Sequence, residues 1–482
     1  TAHVPPIVDR YLDRLTESLK SLGFGGRLSI MLSTGGFSGV EAVRRVPIRI
    51  VESGPAGGAL AAAQLARSRG EARAIGFDMG GTTAKVCLIR DGEPDTVHSF
   101  EAARTARFQK GSGLPILAPS VDLVEIGAGG GSIAHVNRMG PVQVGPQSAG
   151  SEPGPACYGL GGTRATVTDA NVVLGRLPPS LLGGSMELDV SAAESAVSKI
   201  ASALGLNLHQ AAQGILDIVN ENMMGALRLI TVQKGLDPRD FALVAFGGAG
   251  PMHGNAMGIL AGCSPVIIPP TPGVLSALGF LYSDIKNEFA QTFARTIDNV
   301  VPTQMAEIFE RLTREAKSWL SDENIDGAQQ TLRHEVDVRY FRQGYEFTLE
   351  MNPESIGQGG LSALADQFGA AHERLYGFRL EQPVELVNLR VVGTGHVQKV
   401  EAPRQEKGDA DASKAVIDRR QVYFDGMFVD TNVYDRDLLK AGHRIIGPAV
   451  ITQKDSTSVI HTDHICHVYC HLNILIKPAR TR

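Results

Sequence analysis

Apolar residues recur at helical spacing in several long stretches of the chain. Where positions i, i+3, i+4 and i+7 are apolar over several turns, one face of a helix can be buried. This pattern predicts amphipathic helices over 6–23, 208–232, 300–321 and 361–375. A run of small residues predicts a further helix over 56–65, entered from a turn at 53–55.

Short apolar runs that stop at glycines, and runs that alternate apolar with polar residues, predict strands. They occupy 28–32, 121–126, 333–351, 384–396 and much of 451–478, and 421–436 predicts a hairpin. Stretches rich in glycine and serine predict a turn over 33–39 and a long irregular loop over 141–162. Helices and strands therefore mix along the chain, as is typical of an α/β protein.

The most informative stretch is 75–89, which predicts a strand, a tight turn and a second strand. Asp78 ends the first strand, where a carboxylate can orient water around a magnesium ion. Glycines let backbone N–H groups approach an anion closely, and threonine hydroxyls add donors. We predict a phosphate-binding hairpin, with an ordinary glycine-rich turn as the alternative. Its candidate ligand-binding residues are Gly80, Gly81, Thr82, Thr83 and Lys85.

A second glycine cluster follows the apolar run 241–246 and contains Gly247, Gly248 and Gly250. It predicts a strand that enters a glycine turn and then a helix. Two such elements in one chain favour a nucleotide held between two lobes. His253, just beyond the turn, is a candidate substrate or metal contact, and a structural histidine is an equal alternative.

Other polar positions have a functional and a structural interpretation. The glycines of 127–132 can build an anion-binding nest. Asp169 and Asn171 indicate either a site that faces substrate or metal, or the N-cap of a helix. Cys157 is interpreted as a buried structural thiol, because no partner base can be named. The spacing of the glycines matches neither the dinucleotide fingerprint nor the P-loop.

The tail carries histidines and cysteines of the types that bind zinc. Strand alternation would place them on two faces, so ordinary surface and core side chains are the favoured interpretation. The residues concerned are His461, Asp463, His464, Cys466, His467, Cys470 and His471.

Composition narrows the class of protein. The 482 residues are enough for about three domains, and 43% hydrophobic with 20% charged residues is typical of a globular protein. A net charge of −5 without a long basic run gives no indication of nucleic acid. No apolar stretch is long enough to span a membrane. Five cysteines do not make a disulfide framework, so a cytoplasmic protein is expected.

Several segments resemble the hydantoinase A/5-oxoprolinase family, within the actin-like ATPase superfold. They are SGPAGG (53–58), FDMGGTTAK (77–85), EIGAGGGSIA (125–134), GPQSAGSEPGPACYGLGG (145–162), TVTDANVVLGRL (166–177), DPRDFALVAFGGAGPMH (237–253) and PGVLSALG (272–279). Lys85 departs from the commoner family form, which has aspartate there. The resemblance implies actin-like (ribonuclease H-like) lobes and a small C-terminal β domain.

The resemblance also implies a division of the chain. Residues 1–74 would complete the first lobe with a helix that crosses between lobes, and 75–290 would form the nucleotide-binding lobe. Residues 291–402 would continue the family core, and 403–482 would be a linker and the C-terminal β domain. Family members carry a first phosphate hairpin in a further N-terminal region. We expect another polypeptide or segment to supply it.

Members of the family use ATP and magnesium to activate a carbonyl oxygen in hydantoins, 5-oxoproline or other lactams. The expected partners are a hydantoinase B-type second subunit and a small carbonyl substrate, with manganese or zinc on the partner as alternatives to magnesium. In this chain Asp78 would hold the metal, and Asp78, Asp169 and His253 would be catalytic. A ketone carboxylase subunit, a small-molecule kinase and a non-catalytic nucleotide sensor are the alternative functions.

Overall fold

A computed structural model describes residues 4–102, 112–137, 140, 142–400 and 402–479. Its helices are α1 (Val4–Ser21), α2 (Val40–Arg45), α3 (Ser53–Ser68), α4 (Val167–Val173), α5 (Val190–Leu204), α6 (Leu208–Ile230), α7 (Gly250–Ala261), α8 (Leu275–Gly279), α9 (Pro302–Asp322) and α10 (Leu361–Tyr376). Among the described residues, no helix is both long and apolar enough to cross a bilayer.

The strands are short in the first half of the chain and longer in the second. They are β1 (Ser29–Met31), β2 (Phe37–Gly39), β3 (Arg73–Met79), β4 (Ala84–Arg90), β5 (Glu93–Pro94), β6 (Thr96–Val97), β7 (Phe100–Ala102), β8 (Leu114–Ile116), β9 (Ser120–Val121), β10 (Leu123–Ile126), β11 (Ser132–Val136), β12 (Val142–Ser148), β13 (Ser180–Leu181), β14 (Met186–Glu187), β15 (Ala242–Phe246), β16 (Val266–Ile268), β17 (Ile285–Thr296), β18 (Gln330–Tyr340), β19 (Phe347–Glu350), β20 (Val384–Gly395), β21 (Val416–Phe424), β22 (Met427–Asp435), β23 (Arg444–Ile446), β24 (Ala449–Gln453), β25 (Ser456–Ile460), β26 (His464–Val468) and β27 (Ile474–Pro478).

The four amphipathic helices predicted from periodicity are confirmed as α1, α6, α9 and α10. Local signals fix their ends. The side chain of Asn207 caps α6 in a reciprocal box with Gln210, Pro302 opens α9, and Gly377 ends α10 with φ of 83°.

Three local predictions are wrong. The helix α3 already begins at Ser53, so 53–55 is not a turn. Pro55 fits there because the first helical turn has unpaired N–H groups anyway. The predicted turn over 33–39 ends in β2, and the predicted loop over 141–162 contains β12, which pairs with β11. Neither strand, FSG in β2 and VQVGPQS in β12, has the regular apolar and polar alternation that would have predicted it.

The chain divides into two compact units. The first comprises Thr1–Ser53 and Ser283–Lys399, and the second comprises Gly54–Tyr282 and Val400–Arg482. In the first unit a six-stranded sheet has the order β1-β2-β17-β20-β18-β19. Its core contains Phe309 from α9 and Phe368 from α10, packed against sheet residues such as Leu389.

The second unit is built on a nine-stranded sheet of order β10-β4-β3-β15-β16-β27-β26-β23, with β5 beside β4. The central strands β3, β15 and β16 run parallel. Their residues, for example Phe77 and Leu243, are fully buried because helices cover the sheet. A separate four-stranded sheet, β21-β22-β24-β25, holds the predicted hairpin at Asp425-Gly426.

The C-terminal strands differ from the predicted division at residue 403. Strand β27 pairs with β16, so that Ile474 and Ile476 lie opposite Ile268 and Val266 in the nine-stranded sheet. Both isoleucines belong to the same buried cluster as Ile75 and Phe77. The tail is therefore part of the core of the second unit. The polar composition near residue 403 predicts a linker. It does not reveal that β27 pairs with β16, because strand pairing across about 200 residues leaves no local signal.

The small residues of α3 pack closely within the second unit. A Cβ added at Gly58 would lie 2.8 Å from the Phe246 ring, and one at Gly57 would lie 2.5 Å from the backbone oxygen of Ser276. Ala59, Ala62 and Ala66 are buried beside them. The small residues of α3 thus allow it to pack closely against β15 and α8.

Candidate active site

The turn between β3 and β4 presents backbone donors to solvent. The two strands pair so that Asp78 lies opposite Lys85, and Gly80 N–H donates to Thr83 O over 3.0 Å. Gly81 and Thr82 are exposed, and their N–H groups make no hydrogen bond to any described residue. This tip has the free donors that a phosphate needs.

The glycines of the tip are not required by the fold. Neither Gly80 nor Gly81 has a positive φ, and a Cβ added to either would meet nothing within 4 Å. Neither backbone conformation nor packing within the described residues therefore requires glycine at these two positions. A turn without side chains would let a ligand approach the backbone closely.

The glycine loop over 127–132 supports the hairpin and is not an anion nest. Gly130 N–H donates to Gly80 O over 3.0 Å, and Gly131 N–H donates to Gly81 O over 2.6 Å. Gly129 N–H donates to the Ser132 hydroxyl. The predicted nest is therefore wrong, because protein acceptors occupy these donors. A Cβ at Gly129 would lie 2.6 Å from Thr82 N and Gly81 C, so glycine here permits the contact.

Asp78 is a partly buried carboxylate that has no hydrogen-bond partner among the described residues. Burial raises its pKa, and the charge of Lys85 acts against that shift. Lys85 Nζ also lies 3.5 Å from Glu125 Oε1 of β10, so its positive charge is divided between this carboxylate and Asp78. Such a desolvated, unpaired carboxylate beside free N–H donors is typical of a functional site.

Gly247 closes the other side of Asp78. Its φ is +83°, and a Cβ there would lie 2.5 Å from Asp78 Oδ1 and 2.4 Å from Met79 O. Gly247 N–H donates to Pro272 O, and Ala249 N–H donates to Met79 O. The second glycine turn is thus fastened to the end of β3, and the parallel pairing of β3 with β15 brings the two glycine clusters together.

A cavity of about 250 Å³ opens between these elements within the second unit. Backbone from Gly81, Gly131 and Gly248 forms one part of its lining, and Leu177, Leu182 and Met252 form an apolar part. Its polar side chains include Tyr158, Asn171, His253, Lys454 and Asp455.

Four of the sequence-predicted candidates line this cavity, namely Gly81, Asn171, Gly248 and His253, together with Gly130 and Gly131 of the 127–132 loop. The other candidates are not among its lining residues, and their roles remain predictions. These are Asp78, Gly80, Thr82, Thr83, Lys85, Asp169, Gly247 and Gly250.

His253 is buried on α7, and its ring Nδ1 lies 2.8 Å from Asn220 Oδ1 of α6. Burial, together with the nearby charges of Arg176 and His461, lowers its pKa to about 3. The imidazole is therefore neutral at physiological pH. Because Asn220 Oδ1 can only accept, Nδ1 carries the proton and Nε2 carries a lone pair.

Asp169 has the capping role that was the alternative prediction. It is fully buried at the third position of α4, and it exchanges hydrogen bonds with Thr166 in a capping box. The same carboxylate accepts from Cys157 N–H over 2.8 Å and from Ala156 N–H over 3.2 Å. It anchors the loop that precedes α4, and a catalytic role for it stays untested.

The hairpin tip between β24 and β25 is the part of the site that the sequence did not indicate. Asp455 Oδ2 accepts from Gly273 N–H over 2.8 Å, and Ser456 Oγ donates to Gly248 O over 3.2 Å. This tip is therefore fastened to the second glycine turn across about 200 residues. The only signal was a polar Gln-Lys-Asp-Ser-Thr run between two apolar strands.

The cysteines and the tail cluster show no assembled site. Cys157 is fully buried and forms no disulfide, and burial raises the pKa of its thiol, which agrees with the interpretation as a structural thiol. Within the described part of the chain, no three His, Cys, Asp or Glu side chains converge as a metal site. Cys466 is buried in strand β26, whereas the rings of His464 and His471 contact the carbonyls of Thr462 and Pro403.

Comparison with known proteins agrees with this architecture. Residues 1–289 match the hydantoinase/oxoprolinase family model, and residues 294–472 match the hydantoinase/oxoprolinase C-terminal domain. An uncharacterised protein of Methanocaldococcus jannaschii is 40% identical over 97% of this chain. Caprolactamase subunit alpha of Pseudomonas jessenii is 32% identical over 95%. The chain spans 68% and 66% of the lengths of these two relatives.

Two solved structures share the fold. The ATP-dependent caprolactamase of Pseudomonas jessenii superposes with a TM-score of 0.86 at 31% identity, over 99% of this chain and 69% of its own. Nucleotide-free acetone carboxylase superposes with a TM-score of 0.75 at 24% identity, over 97% and 66%. These likenesses confirm the predicted α/β fold of the actin-like ATPase class. The chain belongs to the hydantoinase/oxoprolinase family.

Proposed function

We propose that this chain binds ATP and activates the carbonyl oxygen of a cyclic amide for ring-opening hydrolysis. The observation that carries the proposal is the tip of the β3–β4 hairpin. Its free N–H donors lie beside a desolvated carboxylate, at the edge of a cavity large enough for a small ring. The likeness to an ATP-dependent caprolactamase supports both ATP and a lactam substrate.

The chemistry follows from the low reactivity of an amide carbonyl. The amide oxygen attacks the γ-phosphorus of ATP, and the bond to the ADP oxygen breaks. The resulting imidate phosphate has a good leaving group on carbon. Water then adds to that carbon and the C–N bond breaks, which opens the ring and leaves an acyl phosphate with a free amine. A second water attacks the same carbon, and phosphate departs with the original carbonyl oxygen to leave the amino acid. Such phosphoryl transfer needs mainly positioning and charge neutralisation.

The roles of the residues follow from their positions. Gly80, Gly81, Thr82 and Thr83 would hold phosphate, and Lys85 would balance charge at Asp78. Gly247, Gly248 and Gly250 would contact adenosine at the start of α7. Asp78 and the threonine hydroxyls fit magnesium, which takes few protein ligands and keeps water and phosphate oxygens. When bound, the ion would neutralise charge on the phosphates.

Asp169 and His253 would act differently from each other. Asp169 has both oxygens engaged in hydrogen bonds, so it would hold α4 and its loop in place. His253 has a free ring nitrogen at the cavity and would contact substrate directly.

A partner subunit would complete the reaction. The similar caprolactamase chain is a subunit alpha, so that enzyme is an assembly of more than one chain. We propose a second subunit of the hydantoinase B type for this protein, acting in the cytoplasm.

A ketone carboxylase subunit is the second candidate, and the likeness to acetone carboxylase favours it. The lactam function is preferred because the caprolactamase structure is more similar, with a TM-score of 0.86 against 0.75.

The test compares two glycine-to-valine variants in the complex purified from its native source. Gly81→Val should abolish lactam-stimulated ADP release, because a branched side chain blocks phosphate from the hairpin tip. Gly344→Val is the matched control, since Gly344 is also an exposed turn glycine whose added Cβ meets nothing within 4 Å. Both variants should unfold at the wild-type temperature. ADP release at the wild-type rate by Gly81→Val would contradict the assignment of the β3–β4 hairpin tip as the phosphate-binding site.

A further inference from the structure

The segment between β16 and α8 has few hydrogen-bond donors of its own. Residues 269–273 are Pro-Pro-Thr-Pro-Gly, and proline has no backbone N–H. Only Thr271 and Gly273 therefore carry backbone N–H groups in this stretch, which we call the proline segment. It lies against the second glycine turn, because Pro272 O accepts from Gly247 N–H over 2.9 Å. A segment with so few donors depends on contacts from other parts of the chain to hold one conformation.

The β24–β25 tip supplies such contacts through two side chains. Asp455 Oδ2 accepts from Gly273 N–H over 2.8 Å. Gln453 Nε2 donates to Pro270 O over 3.0 Å and to Asp455 Oδ1 over 2.7 Å. Both oxygens of the Asp455 carboxylate are therefore engaged, and the proline segment is held at two points by a hairpin about 180 residues later in the chain.

Gly273 is fitted to this contact. A Cβ added there would lie 2.7 Å from Asp455 Oδ2 and 2.9 Å from Asp455 Cβ, so any larger residue would push the carboxylate away. Gly273 does not have a positive φ. Packing against Asp455, rather than backbone conformation, therefore favours glycine at this position.

The same tip also holds the second glycine turn directly. Ser456 Oγ donates to Gly248 O over 3.2 Å, while the proline segment holds the neighbouring Gly247. Gly248 lines the cavity, and its N–H makes no hydrogen bond to any residue that the structure describes. The tip and the proline segment therefore fix a turn that has a free backbone donor at the cavity.

We propose that Asp455 is a positioning residue for nucleotide binding. Its bond to Gly273 holds the proline segment, and the proline segment holds the second glycine turn where Gly248 N–H can donate to a nucleoside triphosphate. This inference rests on the proposed function, which assigns adenosine to that turn. Asp455 acts through the turn and not on the reacting atoms, so the loss of its contact should weaken ATP binding and spare the chemical step.

The experiment measures KM for ATP, KM for the lactam and kcat of lactam-dependent ADP release by the native complex. Asp455→Ala should raise KM for ATP about 10-fold, because the hydrogen bond to a charged acceptor is lost. Gly273→Ala should have the same effect, since its Cβ displaces the Asp455 carboxylate. In both variants kcat and KM for the lactam should stay within about twofold of wild type.

Two further variants show whether the Gly273 contact is the cause. Asp455→Asn keeps an oxygen that accepts from Gly273 N–H, so its KM for ATP should stay within about threefold of wild type. Asp430→Ala is the matched control, because Asp430 lies in β22 of the same four-stranded sheet and also accepts from a glutamine, Gln421, but does not line the cavity. Its KM for ATP should equal that of wild type. Gly273→Ala retains the whole Asp455 side chain, so it keeps the test usable if Asp455→Ala fails to fold.

The outcomes separate the two claims. A wild-type complex that neither binds nor hydrolyses ATP overturns the proposed function and this inference with it. If the complex hydrolyses ATP and both alanine variants, at 455 and at 273, keep the wild-type KM for ATP, the inference alone is overturned, even where the variants unfold at a lower temperature. A raised KM for the lactam with an unchanged KM for ATP overturns it as well, because the tip would then position the substrate. Equal KM values for Asp455→Asn and Asp455→Ala would also overturn it, since the carboxylate would then act by its charge and not by holding Gly273.

Discussion

Two aspartates near the glycine turns lie in opposite environments. Asp169 is fully buried, and both of its oxygens accept hydrogen bonds. Asp78 is partly buried and has no such partner among the described residues. The sequence placed both beside glycine-rich segments but could not separate their roles. The deciding contacts, from Ala156 and Cys157 N–H to Asp169, come from a loop with no regular pattern.

Asp78→Asn should separate stability from function. The neutral amide is cheaper to bury than a carboxylate without a partner, so the thermal midpoint should equal or exceed that of wild type. Turnover of ATP should fall on the order of 100-fold or more, because metal and phosphate charge lose their anchor. Asp169→Ala should instead lower the thermal midpoint, because it removes the acceptor for the Ala156, Cys157 and Thr166 N–H groups. A marked loss of stability in Asp78→Asn would show that this carboxylate is structural.

His253 gives a prediction for pH. Its folded-state pKa is about 3, below the ordinary value of 6.5, so the unfolded chain binds the proton more readily. The stability that the neutral ring contributes is present above pH 6.5 and is lost as the pH falls from there towards 3. The loss is about 1.4 kcal/mol per pH unit.

The measurement is the free energy of unfolding between pH 7.5 and pH 5. His253→Gln cannot titrate and should flatten part of the decline. His135→Gln replaces an exposed histidine and should follow the wild type. Parallel curves for His253→Gln and wild type would mean that the ring is charged or accessible in the folded protein.

At the scale of elements, three backbone segments hold one another in place. The loop over 127–132 donates to the carbonyls of the first glycine turn, and the second glycine turn donates to the end of β3. Each element could be predicted from its own sequence. The sequence could not show that 127–132 forms no anion-binding nest. The N–H groups concerned donate to the carbonyls of Gly80 and Gly81, which lie about 50 residues earlier in the chain. The 453–457 hairpin was missed for the same reason.

Gly129→Ala tests this arrangement. Its Cβ would lie 2.6 Å from the backbone of the hairpin tip, so the hairpin must shift. We expect a loss of about 1–3 kcal/mol in the free energy of unfolding and a higher KM for ATP. Gly81→Ala, whose Cβ meets nothing within 4 Å, should leave stability unchanged. Equal stability of the two variants in chemical denaturation would contradict the contact.

At the scale of the whole molecule, composition and motifs indicate the fold class and the family correctly, because glycine turns and buried strands leave local signals. Local signals do not indicate which segments of the chain fold together into one unit. Each unit is built from an N-terminal and a later part of the chain, and β27 joins β16 across about 200 residues. Pairing of this kind depends on the competition among all strands, which no local pattern records.

The position of the tail predicts the behaviour of a fragment. Residues 403–482 should not unfold cooperatively when expressed alone, since Ile474 and Ile476 bury themselves against strands of another segment. Circular dichroism during heating is the measurement. A sharp thermal transition in the isolated fragment would show that residues 403–482 fold as an independent C-terminal domain.

The central claim is that ATP phosphorylates the carbonyl oxygen, and isotope transfer tests it most directly. The native complex would be given ATP and a lactam labelled with ¹⁸O at its carbonyl, and the released phosphate would be analysed by mass spectrometry. The account predicts one ¹⁸O atom in each phosphate formed, with ring opening and ADP in equal amounts. Unlabelled phosphate, with the ¹⁸O retained in the carboxylate of the product, would contradict it.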